Sequence, residues 1–148
     1  MDYLYWTTDI PGIPQHATCD YLNSNQDGDP ATDVAWAQFS DPVYGSAVCA
    51  VRTASDSSVC DQRLVSLNVT NIQNVNHWQH QMMKTTCHEL GHTVGLDHYY
   101  PQAPIPDFPP GGVLDCMASQ SVDDYDEPTG SWTYTYNSHH IAHINAWW

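Results

Sequence analysis

The apolar residues of this chain fall into short patterned runs separated by polar and proline-rich stretches. From His77 to Val94 the pattern is helical. Met83, Cys87, Leu90 and Val94 recur at spacings of four, three and four, the stripe that a helix turns toward a core. Gln81, Thr85, His88 and His92 lie on another face of the same helix. Arg63 to Ile72 alternates with period two and predicts the clearest strand. Ala47 to Thr53, with its β-branched residues, predicts a second strand, and Ala54 to Ser58 a turn. Tyr3 to Thr8 predicts a short strand ended by Pro11 and Pro14, and Thr32 to Phe39 a short helix broken by Asp41-Pro42. Trp132 to Tyr136 alternates like a strand, and Ser138 reads as the N-cap of a final helix through Ile141, Ile144 and Trp147.

Between these runs the chain is irregular. Tyr99 to Gly112 carries Pro101, Pro104, Pro106, Pro109 and Pro110, a density that no regular element survives, so it predicts a loop. Asp123, Asp124, Asp126 and Glu127 predict a solvated acidic turn. Asn23, Asn25, Asp27 and Gly28 stand at the offsets of a calcium loop, but Val34 occupies the place of the closing glutamate. A Ca2+ site and a polar Asx-type turn both remain open there. Asn68-Val69-Thr70 matches a glycosylation sequon. His139 and His143 are four apart on the last predicted helix, yet no glutamate stands between them in the right place and no third ligand follows; an amphipathic closing helix is the favoured reading.

A length of 148 residues with 41% hydrophobic residues suits one globular domain spanning residues 1–148. No apolar run approaches the ~20 residues needed to cross a bilayer. Lys and Arg number 3 against 17 Asp and Glu, a formal charge of -14, which disfavours nucleic acid and anionic membranes as partners. Five cysteines in a short chain point to an oxidising, extracellular compartment. The first residues lack a basic segment followed by an apolar core, so a secreted form implies that its signal and any pro-segment are absent from this sequence. The cysteines allow fifteen two-bridge patterns. Position favours Cys87–Cys116, joining the predicted long helix to the segment around Met117, and Cys49–Cys60, closing a local loop, with Cys19 left over.

The chemistry concentrates in His88-Glu89-Leu90-Gly91-His92-Thr93-Val94-Gly95-Leu96-Asp97-His98. Histidines four apart stand one above the other on a helix, so both imidazoles can reach one ion. Gly95 can adopt the left-handed conformation that ends a helix, and His98 then returns as a third nitrogen ligand. Three ligands leave the fourth position of a tetrahedral Zn2+ for water, the arrangement of a catalytic site. Glu89 is placed to act as general base. Asp97 is an alternative third ligand, though the spacing favours His98. His77 and His80, near the start of the helix, read as polar surface residues.

This HExxHxxGxxH pattern, with Met117 in Asp115-Cys116-Met117-Ala118-Ser119, resembles the metzincin metallopeptidases, as small secreted matrixin-like bacterial members. The resemblance spans residues 87–119. It implies an α+β fold, a mixed twisted sheet packed on an active-site helix and a C-terminal helix, with the Arg63 to Ile72 strand beside the substrate cleft. It also implies that Met117 floors the metal site without binding the ion. The expected function is a zinc-dependent endopeptidase acting on a protein or peptide substrate as a monomer. A zinc-dependent hydrolase of other bonds and an inactive metal-holding, protein-binding domain are the alternatives.

Overall fold

The computed structural model describes residues 2–10, 33–53, 56–97 and 113–147. Cys19, the Asn23–Asp29 stretch, His98 and the Tyr99–Gly112 segment lie outside them. The architecture is α+β: a three-stranded mixed sheet and four α-helices among the described residues. The strands are β1 (Asp33–Gln38), β2 (Gly45–Arg52) and β3 (Cys60–Leu67). β3 is central, parallel to β1 and antiparallel to β2. Past Cys49 the β2–β3 register shifts by one residue, a bulge beside the Cys49–Cys60 disulfide.

The helices are α1 (Asp2–Thr7), α2 (Val69–Gln73), α3 (Trp78–Thr93) and α4 (Ser138–Trp147). Cys87 and Leu90 of the expected stripe are buried, whereas Met83 at its start is half-exposed. The first turn of α3 is capped from a distance. Asn76 and His77 donate their backbone N–H groups to the carboxylate of Asp123, and His77 Nδ1 sits 2.7 Å from Asp123 Oδ1. These contacts, led by the His77 ring, hold the Asp123 carboxyl below the usual range. The acidic turn is therefore partly structural. Asp124 also forms a capping box with Ser121 at a 3-10 turn over Val122–Asp124. Gln81, fully buried, accepts from Val122 N at 2.8 Å and fixes this turn against α3.

The core lies mainly between α3 and the C-terminal third, where Leu90, Cys116, Met117, Val122, Trp132 and Ile144 form one cluster. α3, not α4, covers the sheet. α4 is tied instead to Asp115 through His140 and to Asp9 through Asn145. Among the described residues no helix is long and apolar enough to cross a membrane.

Several local expectations fail for identifiable reasons. The Tyr3–Thr8 segment is helical, and the Thr7 and Thr8 hydroxyls donate to the carbonyls of Tyr3 and Leu4, each at 2.6 Å. The Ala-rich segment expected as a helix is β1, because pairing along β3 overrides helix propensity. The Arg63–Ile72 run stops being a strand at Leu67, where the Asn68 side chain caps α2 by accepting from Asn71 N at 3.0 Å. Asn68 is buried and its amide also donates to Asp41 O, which removes it as a glycosylation acceptor. Ser131–Tyr134 is a 3-10 turn rather than a strand, with the adjacent Trp132 and Thr133 both buried. Asn137 rather than Ser138 caps α4, accepting from His140 N at 3.0 Å.

Both expected disulfides are present, Cys49–Cys60 and Cys87–Cys116. The second spans 29 residues and joins α3 to the Met117 turn. Replacing Cys87 and Cys116 together by Ala should cost about 3–4 kcal/mol by loop-closure entropy. The midpoint of thermal unfolding should fall by roughly 10 °C. A shift under about 2 °C would mean that this bridge does little to restrict the unfolded chain.

Candidate active site

Three neighbouring side chains at the C-terminal end of α3 are each fixed by a different element. His88 is 6% exposed, and its Nδ1 donates to the carbonyl of Cys116 at 2.9 Å. His92 Nδ1 donates to Leu96 O at 2.8 Å. A carbonyl cannot donate, so both rings carry a proton on Nδ1; in the neutral ring this leaves the lone pair on Nε2, the tautomer a metal-ligating imidazole needs. The ring centroids are 4.7 Å apart and the planes perpendicular. This spacing is compatible with two ligands to one ion.

Gly95 creates the His92 contact. Its φ is 91°, and the backbone forms a complete Schellman pair: Leu96 N to Gly91 O at 3.0 Å and Gly95 N to His92 O at 3.3 Å. The reversal buries Leu96 and turns its carbonyl back onto His92. Gly91 has a separate role. A Cβ there would collide with Met117 Sδ, so only glycine lets the fully buried Met117 pack against α3 between the two histidines.

Glu89 faces the sheet and lines the same cleft as His92. It is 4% exposed and lies against Gly45 at the start of β2, where an added Cβ would stand 2.5 Å from Glu89 Oε1. Burial pushes its pKa up to about 7, opposed by the charge of Lys84. An open cleft of about 420 Å³ runs between β2 and α3, lined by Gly45, Ser46, Ala47, Arg63, Glu89, His92 and Asp97. The structure thus brings together His88, Glu89, His92 and Met117, and places Asp97, exposed, at the cleft. His98 lies outside the described residues.

No family model, no curated protein and no solved structure matches this chain. Among the described residues, no group of three or more His, Cys, Asp or Glu side chains is arranged to hold a metal ion. The metzincin assignment of residues 87–119 is overturned on these findings. The eleven-residue spacing favours a helix, two neighbouring imidazoles and a Schellman reversal, all of which form, but those are local consequences of the sequence and define no family.

Five participants escaped sequence reasoning. Gly45 and Arg63 reach the cleft only through strand pairing. Asp115 and His140, 25 positions apart, meet at 2.5 Å in the interior behind the Met117 turn, and nothing in their spacing signals it. Lys84 is the single lysine of the chain and is 3% exposed, its Nζ donating to Gln120 O at 2.7 Å. Burial pulls its pKa down to about 8 against the opposing charges of Glu89 and Asp124.

The folded chain therefore binds fewer protons than the unfolded chain between about pH 8 and the ordinary lysine value of 10.5. Stability gained from this group rises with pH across that window, and below it the buried ammonium is a fixed cost. At ~1.4 kcal/mol per pH unit, moving from about pH 8 to about pH 10 should stabilise the parent relative to Lys84→Met by about 2–3 kcal/mol. Urea unfolding of both proteins at the two pH values checks this. Parallel pH profiles would show that the lysine is solvated.

Proposed function

We propose that this chain is a secreted zinc-dependent endopeptidase. The observation that carries the reading is the pair of Nδ1-to-carbonyl hydrogen bonds that set His88 and His92 in the same ligating tautomer, with Glu89 between them facing a cleft. His98 is the third ligand in this reading, supplied just after the Schellman turn. Zinc, when bound, supplies a Lewis acid that lowers the pKa of water toward ~7 and polarises a carbonyl. Two disulfides fit an oxidising compartment.

Glu89 carries the proton. A carboxylate whose pKa is raised by burial is a stronger base than one in water, and it can hold a proton near neutrality. Its Oε accepts a proton from the attacking water as the water oxygen bonds to the scissile carbonyl carbon. It then gives that proton to the leaving nitrogen as the C–N bond breaks. A peptide is the favoured substrate because β2 is an edge strand among the described residues, and its first residues line the cleft beside Glu89. Such an edge offers backbone donors and acceptors to an extended chain.

Ligand loss and base loss should separate. His92→Ala and His98→Ala should lose zinc and activity together, while Asp97→Ala keeps both. Glu89→Gln should retain zinc, measured by elemental analysis, while kcat on unfolded casein falls by about 10²–10⁴. A zinc-loaded Glu89→Gln protein with parental kcat would place the base elsewhere. A zinc-loaded parent that cleaves nothing in a broad peptide library would defeat the endopeptidase reading.

A further inference from the structure

The chain has three basic side chains, and two have evident structural partners. Arg52 Nη1 donates to Ser57 O at 2.9 Å on the hairpin connection, and Lys84 is bonded to Gln120 O inside the protein. The third, Arg63, projects from the central strand into the cleft that also contains Glu89 and His92. Among the described residues no carboxylate forms a salt bridge with it, although acidic residues outnumber basic ones by 17 to 3. Its Nε is buried and makes no hydrogen bond. Burial, with the like charge of Arg52, lowers its pKa, as expected for a cation partly withdrawn from water. Glu89, which lines the same cleft, forms no salt bridge with it.

A half-buried guanidinium beside the candidate site, with no salt bridge to a carboxylate among the described residues, is matched to an anion that arrives from outside. Its planar fork fits a carboxylate through two parallel hydrogen bonds. We propose that Arg63 is the specificity-determining residue of this cleft and receives a carboxylate of the substrate, from an Asp or Glu side chain or from the C-terminus of a peptide. This rests on the endopeptidase reading for its reaction but not for its binding. The formal charge of -14 opposes such a ligand little at physiological ionic strength, because salt screens exposed charges more than about 8 Å away.

The test uses fluorescent decapeptides in which each position in turn is Glu or its isostere Gln, each made with a carboxylate and with an amidated C-terminus. For the zinc-loaded parent, kcat/KM should be at least about tenfold higher for the carboxylate member at one position, with the difference mainly in KM. Arg63→Gln should bring the two members within about twofold, and Arg63→Lys, which keeps the charge but not the fork, should fall between. A response to Glu against Gln identifies a side-chain carboxylate, and a response to amidation identifies the C-terminus. Fluorescence anisotropy with zinc-loaded Glu89→Gln protein, with and without Arg63→Gln, gives the same comparison without hydrolysis. If the parent cleaves nothing, the endopeptidase reading fails while the anisotropy comparison still decides the role of Arg63. Equal affinity for both members, no binding, or a preference that survives Arg63→Gln would overturn the proposal.

Discussion

The carboxyl group of Asp115 is the point on which the C-terminal half of the protein closes. It has 0% exposure, and a carboxyl group so far from water is tolerable only when donors fill its oxygens. They do: Met117 N donates to Oδ1 at 3.0 Å, and Asn137 N at 2.8 Å and His140 Nδ1 at 2.5 Å donate to Oδ2. One side chain thereby fixes the turn that carries Cys116 and Met117 and the first turn of α4. The disulfide to Cys87 then locks that turn to α3, and Tyr136 adds a hydrogen bond from its hydroxyl to Cys87 O at 2.6 Å. The carbonyl that orients His88 belongs to Cys116, so the ring inherits its orientation from Asp115 through one residue of backbone.

Two supports with different origins therefore hold the paired imidazoles. His88 depends on long-range tertiary structure, and His92 on a turn three residues away. Glu89, pointing to the sheet between them, depends on a third element, the glycine at the start of β2. This arrangement spreads a small site over α3, β2 and the Asp115 turn. Its cost is polarity in the interior. Glu89, Lys84, Gln81 and Thr85 are all buried along one side of α3, and the opposed shifts of Glu89 and Lys84 express that shared burial.

What could be read in the sequence was what local geometry decides. The α3 stripe, the left-handed Gly95, the β2 strand and both disulfides followed from spacing or position. The short strands expected at Tyr3–Thr8 and, from alternation, at Trp132–Tyr136 failed where threonine hydroxyls satisfy nearby carbonyls and close helical turns. The β1 segment has helix-forming alanines and becomes a strand only because β3 offers a parallel partner. The Asp115–His140 contact and the place of Arg63 in the cleft are tertiary facts with no periodic trace. The metzincin resemblance shows the same boundary: a motif can specify how its own residues fold without saying which family the rest of the chain belongs to.

The central claim is that α3 presents two histidines to one zinc ion, completed by a third nitrogen ligand. X-ray absorption at the zinc edge on the purified, zinc-loaded chain tests it most directly. The account predicts one zinc per chain, with a first shell of nitrogen and oxygen only at about 2.0–2.1 Å and outer-shell scattering from three imidazoles. Sulfur ligation at about 2.3 Å, an all-oxygen shell without imidazole scattering, or a chain that retains no zinc after removal of loosely held metal would contradict it.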